Sequence, residues 1–247
     1  MPLYQSDAFV LRTYKLGETD QIVVFFTQEF GKLRAVARRS HSLRRHTASY
    51  HQPLMLLRTI LFGRPSQSLY RINTVDLVES FRALREDFGL LRCGLYMTEL
   101  LDVTTHEREP MPELFMLFHK TLEQLGQAAS VTPLLRLFEL RLLMTIGYTP
   151  QLEYCARCAC EVQPHECTFS PHLGGLVCTS CAPAVHHTLT VSPATLETLR
   201  LTIADEETGA ASMRLDVVAQ QELEHLLHTH LTARLGRELK SYAFLHL

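Results

Sequence analysis

Two CxxC pairs, Cys155/Cys158 and Cys178/Cys181, stand nineteen residues apart, and no other feature constrains the fold of this chain as strongly. Each pair offers two thiolates on one tight turn, so a short connecting segment needs only to reverse direction to close a tetrahedral zinc site. The stretch Ser170-Pro171-His172-Leu173-Gly174-Gly175 supplies glycines for that reversal. Four thiolates fill every tetrahedral position, whereas a catalytic zinc keeps one open, so the expected role of a single Zn2+ here is structural. Cys160, Cys167 and His165 are the substitute ligands that the segment offers, but only the quartet repeats the two-residue spacing. A thioredoxin-like redox use would place CxxC at the start of a helix in a βαβ pattern, which is absent. Pro164-His165-Glu166 has the wrong spacing for a zinc deaminase, and His225, His228 and His230 do not form HExxH. Those three histidines, with Glu222 and Glu224 among them as on a solvated face, read as ordinary surface or core residues.

The rest of the chain is that of a protein with a large core. At 247 residues and 46% hydrophobic, it is long enough for two domains and a small insertion. Met1-Pro2-Leu3-Tyr4-Gln5 lacks a signal-peptide pattern and apolar runs such as Ile22 to Phe26 are far too short to span a bilayer, which predicts a cytoplasmic protein without membrane partners. Seven cysteines, an odd number, favour reduced thiols on metal over a disulfide framework. Net charge is only −2, but residues 1–80 hold eleven Lys/Arg against six Asp/Glu, a local net of +5 that leaves −7 to the remainder. Such asymmetry assigns an anionic partner to the N-terminal part.

Period-two and β-branched patterning predicts five strands, at Ala8 to Thr13, Asp20 to Thr27, Leu33 to Arg38, Met55 to Phe62 and Leu69 to Asp76. Five antiparallel strands in eighty residues suggest a small barrel, and the OB-fold is the commonest such barrel that handles nucleic acid. From Ser80 the period turns helical through Val103; Pro112 and the pair Thr132-Pro133 mark helix starts with proline at the first helical position, and Gly147 marks a stop. Ser192-Pro193 opens another helix, and Leu215 to Leu235 forms a long amphipathic one. The expected architecture is α+β: an OB-fold β-barrel over 1–80, an α-helical domain over 81–150 and 186–247, and an inserted zinc module over 151–185.

Within the barrel, Lys32, Arg34, Arg38, Arg39, Arg44 and Arg45 form a basic cluster, and no acid lies between Gly31 and Asp76. Several cations on one loop suit phosphates spaced along a nucleic-acid strand, through counterion release and bidentate guanidinium contacts. The plainer alternative is a solvated basic loop. Phe25 and Phe26 are adjacent in a strand and must point to opposite faces, so one faces outwards, either to pack on the helices, the favoured reading, or to stack on a base. Tyr14, Tyr50 and Tyr70 stay open among core, rim and stacking positions.

With these residues in view, the chain resembles the bacterial RecO family of recombination mediator proteins over nearly its full length. Ala8-Phe9-Val10-Leu11, Gly17-Glu18-Thr19-Asp20, Phe26-Thr27, Phe30-Gly31-Lys32 and Leu54 to Leu57 carry the likeness in the barrel. Phe138-Glu139-Leu140-Arg141-Leu142-Leu143, Gly147-Tyr148-Thr149-Pro150, Cys155 and Gly174-Gly175-Leu176-Val177-Cys178 carry it further on. The resemblance implies a non-enzymatic protein that binds single- and double-stranded DNA and promotes strand annealing. It also implies action with RecR, RecF and single-stranded DNA-binding protein to help load RecA on gaps, in association with the bacterial nucleoid. Two departures stand out: Ala37-Arg38-Arg39-Ser40 where the family commonly has a glycine after the third strand, and Ala159-Cys160 where a glycine often follows the first cysteine pair. The rival readings are a zinc-dependent enzyme acting on nucleic acid and a scaffold whose basic loop meets an acidic protein surface.

Overall fold

The computed structural model describes residues 3–38, 50–64, 66–163, 167–204 and 216–245. The chain forms two compact units, Met1–Gln127 with Leu239–Leu247, and Ala128–Glu238. This division falls inside the helical stretch assigned above to one domain: the helices before residue 128 join the barrel, and the later ones join the cysteine segment.

In the first unit, β1 (Leu3–Leu16), β2 (Asp20–Thr27), β3 (Gly31–Ala37), β4 (Leu56–Phe62) and β5 (Tyr70–Glu79) close into a barrel in the order β1-β2-β3-β5-β4. All five expected strands are present, in an OB-like barrel. β1 runs longer at both ends than its hydrophobic pattern indicated, because it serves two neighbours: Leu3 to Phe9 pair with β4 and Ala8 to Leu16 pair with β2. A bulge between Val10 and Arg12 bends it from one partner to the other. Among the described residues of the barrel strands, the one parallel seam, β3 to β5, holds Ala35↔Tyr70 and Val36↔Arg71.

The interior takes Ala8, Val10, Val23, Phe25, Leu33, Ala35, Leu57, Leu61, Tyr70 and Val75. Phe26 therefore points outwards, yet it is fully buried, with its ring 5.9 Å from that of Phe115. Phe115 belongs to α3 (Pro112–Leu125), which begins with its proline at the first helical position as expected. Phe9, also on the outer face, lies 5.0 Å from Phe115 and 4.8 Å from Phe118. Packing on the helix, not base stacking, thus accounts for the outward aromatics, at about 1.5–3 kcal/mol for each ring buried.

The helical period after Ser80 is interrupted. α1 (Arg82–Glu86) and α2 (Phe88–Thr104) are separated at Asp87, whose extended backbone and carboxylate, accepting from the Leu90 N–H at 2.9 Å, start the second helix afresh. After α2 the chain lies along β3: Arg108 N–H donates to the Lys32 carbonyl at 3.0 Å, and Lys32 and Glu107 form a parallel bridge. Gly31 makes this approach possible, since its φ is +68° and a Cβ there would fall 2.1 Å from the Glu109 carbonyl oxygen. The C-terminal residues return to this unit, where the Glu99 carboxylate accepts from the Ser241 N–H at 2.7 Å and Arg92 donates to the Phe244 carbonyl at 2.8 Å.

The second unit contains α4 (Val131–Thr145), β6 (Cys167–Ser170), β7 (Gly175–Cys178), β8 (Leu189–Thr190), α5 (Pro193–Ala204) and α6 (Val217–Leu235), with the strands in the antiparallel order β7-β6-β8. α4 starts two residues before the expected Thr132-Pro133 boundary, with Ser130 as its N-cap. Pro133 remains in the first turn, where its missing N–H leaves no hydrogen bond unmade. Gly147, at φ +79°, ends α4 as expected: its N–H donates to the Met144 carbonyl at 3.1 Å and Tyr148 N–H to that of Leu143 at 2.8 Å. Arg136 and Glu139, both buried, pair at 3.1 Å within α4.

Glu222 is not part of a solvated face. Its carboxylate accepts from the Ser192 N–H at 2.6 Å, the Ser192 hydroxyl at 2.5 Å and the Thr195 hydroxyl at 2.6 Å, tying the start of α5 to α6. Glu224 is 3.9 Å from the Arg136 guanidinium. His230 is a core histidine: its Nε2 donates to the Tyr148 carbonyl at 3.0 Å and its ring meets Phe169 edge-on.

Replacing Gly31 by Ala is expected to cost more than about 1 kcal/mol, measured as a fall in the denaturant midpoint, because both the positive φ and the Glu109 backbone oppose a side chain. Burial pushes the His51 and His230 pKa values below the ordinary 6.5. Below pH 6.5 the unfolded chain then binds more protons than the folded one, so stability is expected to fall from that pH until the lowered folded values are passed. Melting curves between about pH 8 and 5 check this, and His230→Gln should flatten the acid-side decline.

Candidate metal centre and basic barrel face

β7 ends on Cys178, which lies opposite Cys167 in the hairpin with β6. The segment from Gln151 runs beside it: Gln151 N–H donates to the Gly174 carbonyl at 2.9 Å, and Leu176 and Ala156 N–H groups bond back across the gap at 2.9 and 2.7 Å. Gly175 permits this approach, because a Cβ there would meet the Gln151 carbonyl at 2.7 Å. The ladder carries the first cysteine pair to the end of β7. A tight turn follows, with Ala159 N–H donating to the Cys155 carbonyl at 2.8 Å and Cys155 N–H to that of Cys160 at 2.7 Å. Ala159 makes that turn at φ +58°, keeping the left-handed conformation without glycine.

The thiols of Cys155, Cys158, Cys160 and Cys178 lie within 4.8 Å of one another. Cys181, fourth in the expected quartet, stands outside this group, although the neighbouring thiols, that of Cys158 foremost, push its pKa up to about 12. The structure therefore gathers three of the four expected ligands and adds Cys160. Cys167 is absent from the group and burial pushes its thiol pKa up, while His165 lies outside the described residues.

These thiols fit a zinc ion. Zn–S bonds of about 2.3 Å in a tetrahedron set sulfurs roughly 3.8 Å apart, and Cys158 and Cys178 are 3.8 Å apart. Burial opposes ionisation of Cys155, but backbone N–H groups of Cys178, Cys158 and Arg157 outweigh it and hold its pKa down to about 6. The N–H of Cys181 likewise lowers that of Cys178. Thiolates are the form that binds metal, so these N–H groups favour that form at both positions. A metal held by four of these sulfurs would have a closed shell and would supply folding energy.

On the barrel, the six expected cations separate. Lys32 turns inwards: its ammonium donates to the Asp102 carbonyl at 2.6 Å and lies 3.5 Å from that carboxylate, with the side chain only 12% exposed. Burial lowers its pKa despite Asp102. Arg34 is 38% exposed and pairs with Glu107, while Arg38 is exposed at the end of β3. Arg39, Arg44 and Arg45 lie outside the described residues.

Arg12 and Tyr14 join this face. Arg12 and Arg34 sit on either side of Val24 in the strand register, Arg12 bonds Asp102 at 2.9 Å, and its guanidinium lies 5.7 Å from the centre of the exposed Tyr14 ring. Tyr70 belongs to the barrel core and Tyr50 packs partly buried against it. Sequence reasoning had no means to assign Arg12, since its facing depends on the bulge beside it.

Among the described residues, none of His225, His228 and His230 falls in a group of metal-ligating side chains. One further group does occur: His119 lies 3.3 Å from Glu79 and 3.9 Å from Glu123, its ring edge-on to Phe9 and Phe81. These contacts tie the end of β5 to α3.

Comparison with known proteins accounts for both halves of this arrangement. Residues 1–81 match the family model described as recombination protein O N terminal, and residues 85–243 match that for the recombination protein O C terminal. A DNA repair protein RecO from Symbiobacterium thermophilum is 35% identical over 248 residues, covering 99% of this chain and 97% of the relative. Those from Anaeromyxobacter sp. (strain K) and Bacillus pumilus are 34% and 32% identical, over 96% and 99% of this chain and 93% and 94% of the relatives. An OB-like barrel followed by helices and a cysteine cluster, matched along its length by these models and relatives, makes this chain a member of the RecO family of DNA repair proteins.

Proposed function

We propose that this protein is a non-enzymatic recombination mediator that binds single- and double-stranded DNA through the basic end of its barrel, promotes annealing, and helps load RecA at gaps. RecR, RecF and single-stranded DNA-binding protein are the partners this role calls for, and the nucleoid is where it would act. The observation that carries the reading is the fate of the barrel cations: Asp102 and Glu107 engage Lys32 and Arg34, but Arg38 is exposed at the end of β3, at the head of a stretch with no acid before Asp76. Phosphates are the chemistry that such a stretch favours. Neutralising the backbone lowers repulsion between complementary strands, so annealing requires no bond-making residue. Tyr14 beside Arg12 adds an aromatic surface with a cation next to it, suited to an unpaired base.

The phosphate grip then falls to Arg38, Arg39, Arg44 and Arg45. Four contacts predict that log affinity for a single strand falls with log salt at a slope near −3, at roughly 0.7 per phosphate. Fluorescence anisotropy with a labelled oligonucleotide should show this slope in the native protein and a shallower one in the Arg38→Ala/Arg39→Ala variant. Lys32→Ala should lower stability and leave the slope unchanged. A flat salt response in the native protein would exclude the phosphate grip and favour a scaffold that meets protein partners only.

Metal removal separates the structural role from a catalytic one. One zinc per chain is expected by elemental analysis, and a chelator should lower the melting temperature of the second unit. Loss of a nuclease or deaminase turnover without any change in melting would point instead to a zinc enzyme.

A further inference from the structure

The cysteine segment holds five thiols for a centre with four positions. Cys155, Cys158 and Cys178 belong both to the pattern of paired CxxC motifs and to the tight group in the structure. The fourth place has two claimants. Cys181 follows Cys178 by a turn in which its N–H donates to the Cys178 carbonyl at 3.0 Å. Cys160 sits two residues beyond Cys158, with its sulfur 3.3 Å from that of Cys158.

The position of Cys160 is built into the backbone. Ala159 adopts φ +58°, a conformation that residues with a Cβ rarely take. Hydrogen bonds on both sides hold it, from Ala159 N–H to the Cys155 carbonyl and from Cys155 N–H to the Cys160 carbonyl. An extended residue at 159 would carry the next side chain away from the cluster. The left-handed turn folds Cys160 back onto it.

We propose that Cys160 and Cys181 are alternative fourth ligands of a single zinc ion, with Cys155, Cys158 and Cys178 as its constant shell. Exchange between them forms one Zn–S bond as another breaks. The incoming thiol gives up its proton, the departing thiolate takes one up, and neither charge nor oxidation state changes. The fifth sulfur stays beside the ion in either arrangement, so the centre tolerates loss of one exchanging cysteine but of no constant one. This inference concerns the metal centre alone and stands apart from the DNA-binding role.

The test uses the full chain with Cys160→Ser, Cys181→Ser, the double variant, and Cys158→Ser as a control. Elemental analysis gives zinc per chain, competition with a chromophoric chelator gives affinity, and the sulfur-to-metal charge-transfer band of the cobalt form counts thiolates. Each single variant should retain one metal, a four-thiolate band, and an affinity within about tenfold of the native protein, a difference below roughly 1.4 kcal/mol. The double variant and Cys158→Ser should each lose a thiolate from the band and bind more weakly than either exchanging single variant. A three-thiolate band, or failure to fold, in either Cys160→Ser or Cys181→Ser alone would overturn the proposal by identifying a fixed fourth ligand. A four-thiolate band in the double variant would overturn it equally.

Discussion

The first unit depends on the burial of apolar surface on the outside of its barrel. A five-stranded barrel can enclose only a few side chains, and here Phe9 and Phe26 are left facing outwards with large rings that water would not favour. α3 answers this by presenting Phe115 and Phe118 to them. The helices that follow the barrel are thus its second wall. This is why the compact units divide after residue 127 and not at the end of β5.

That burial brings acidic groups of α2 and the following loop against a basic strand. Asp102 meets both Arg12 and Lys32, and Glu107 meets Arg34, so much of the excess positive charge of the N-terminal part is neutralised locally. Charge counted along a sequence overstates what a ligand encounters. Arg38, just past these pairs, is exposed.

The sequence carried most of the fold because its signals were local. Alternation placed all five strands, Gly147 and Pro112 marked helix ends, and the adjacency of Phe25 and Phe26 required one aromatic to face outwards. What escaped it was set by tertiary partners. The length of β1 follows from its need to pair twice, the inward turn of Lys32 from Asp102 seventy residues away, and the role of Glu222 from the hydroxyls of Ser192 and Thr195. At the cysteines, spacing identified the segment as a candidate metal site, but the approach of Cys160 depends on the left-handed turn at Ala159, which no propensity predicts for alanine.

The short parallel seam of the barrel has a mechanical consequence. β2 and β3 are joined through seven paired residues and β4 and β5 through another seven, whereas β3 meets β5 through two. Opening a barrel costs least where the fewest backbone hydrogen bonds hold it. Among the described residues the barrel is therefore a clasp with one weak catch, at Ala35 and Val36. Strain applied to the barrel would therefore be relieved first where β3 leaves β5, while the longer antiparallel seams kept their register.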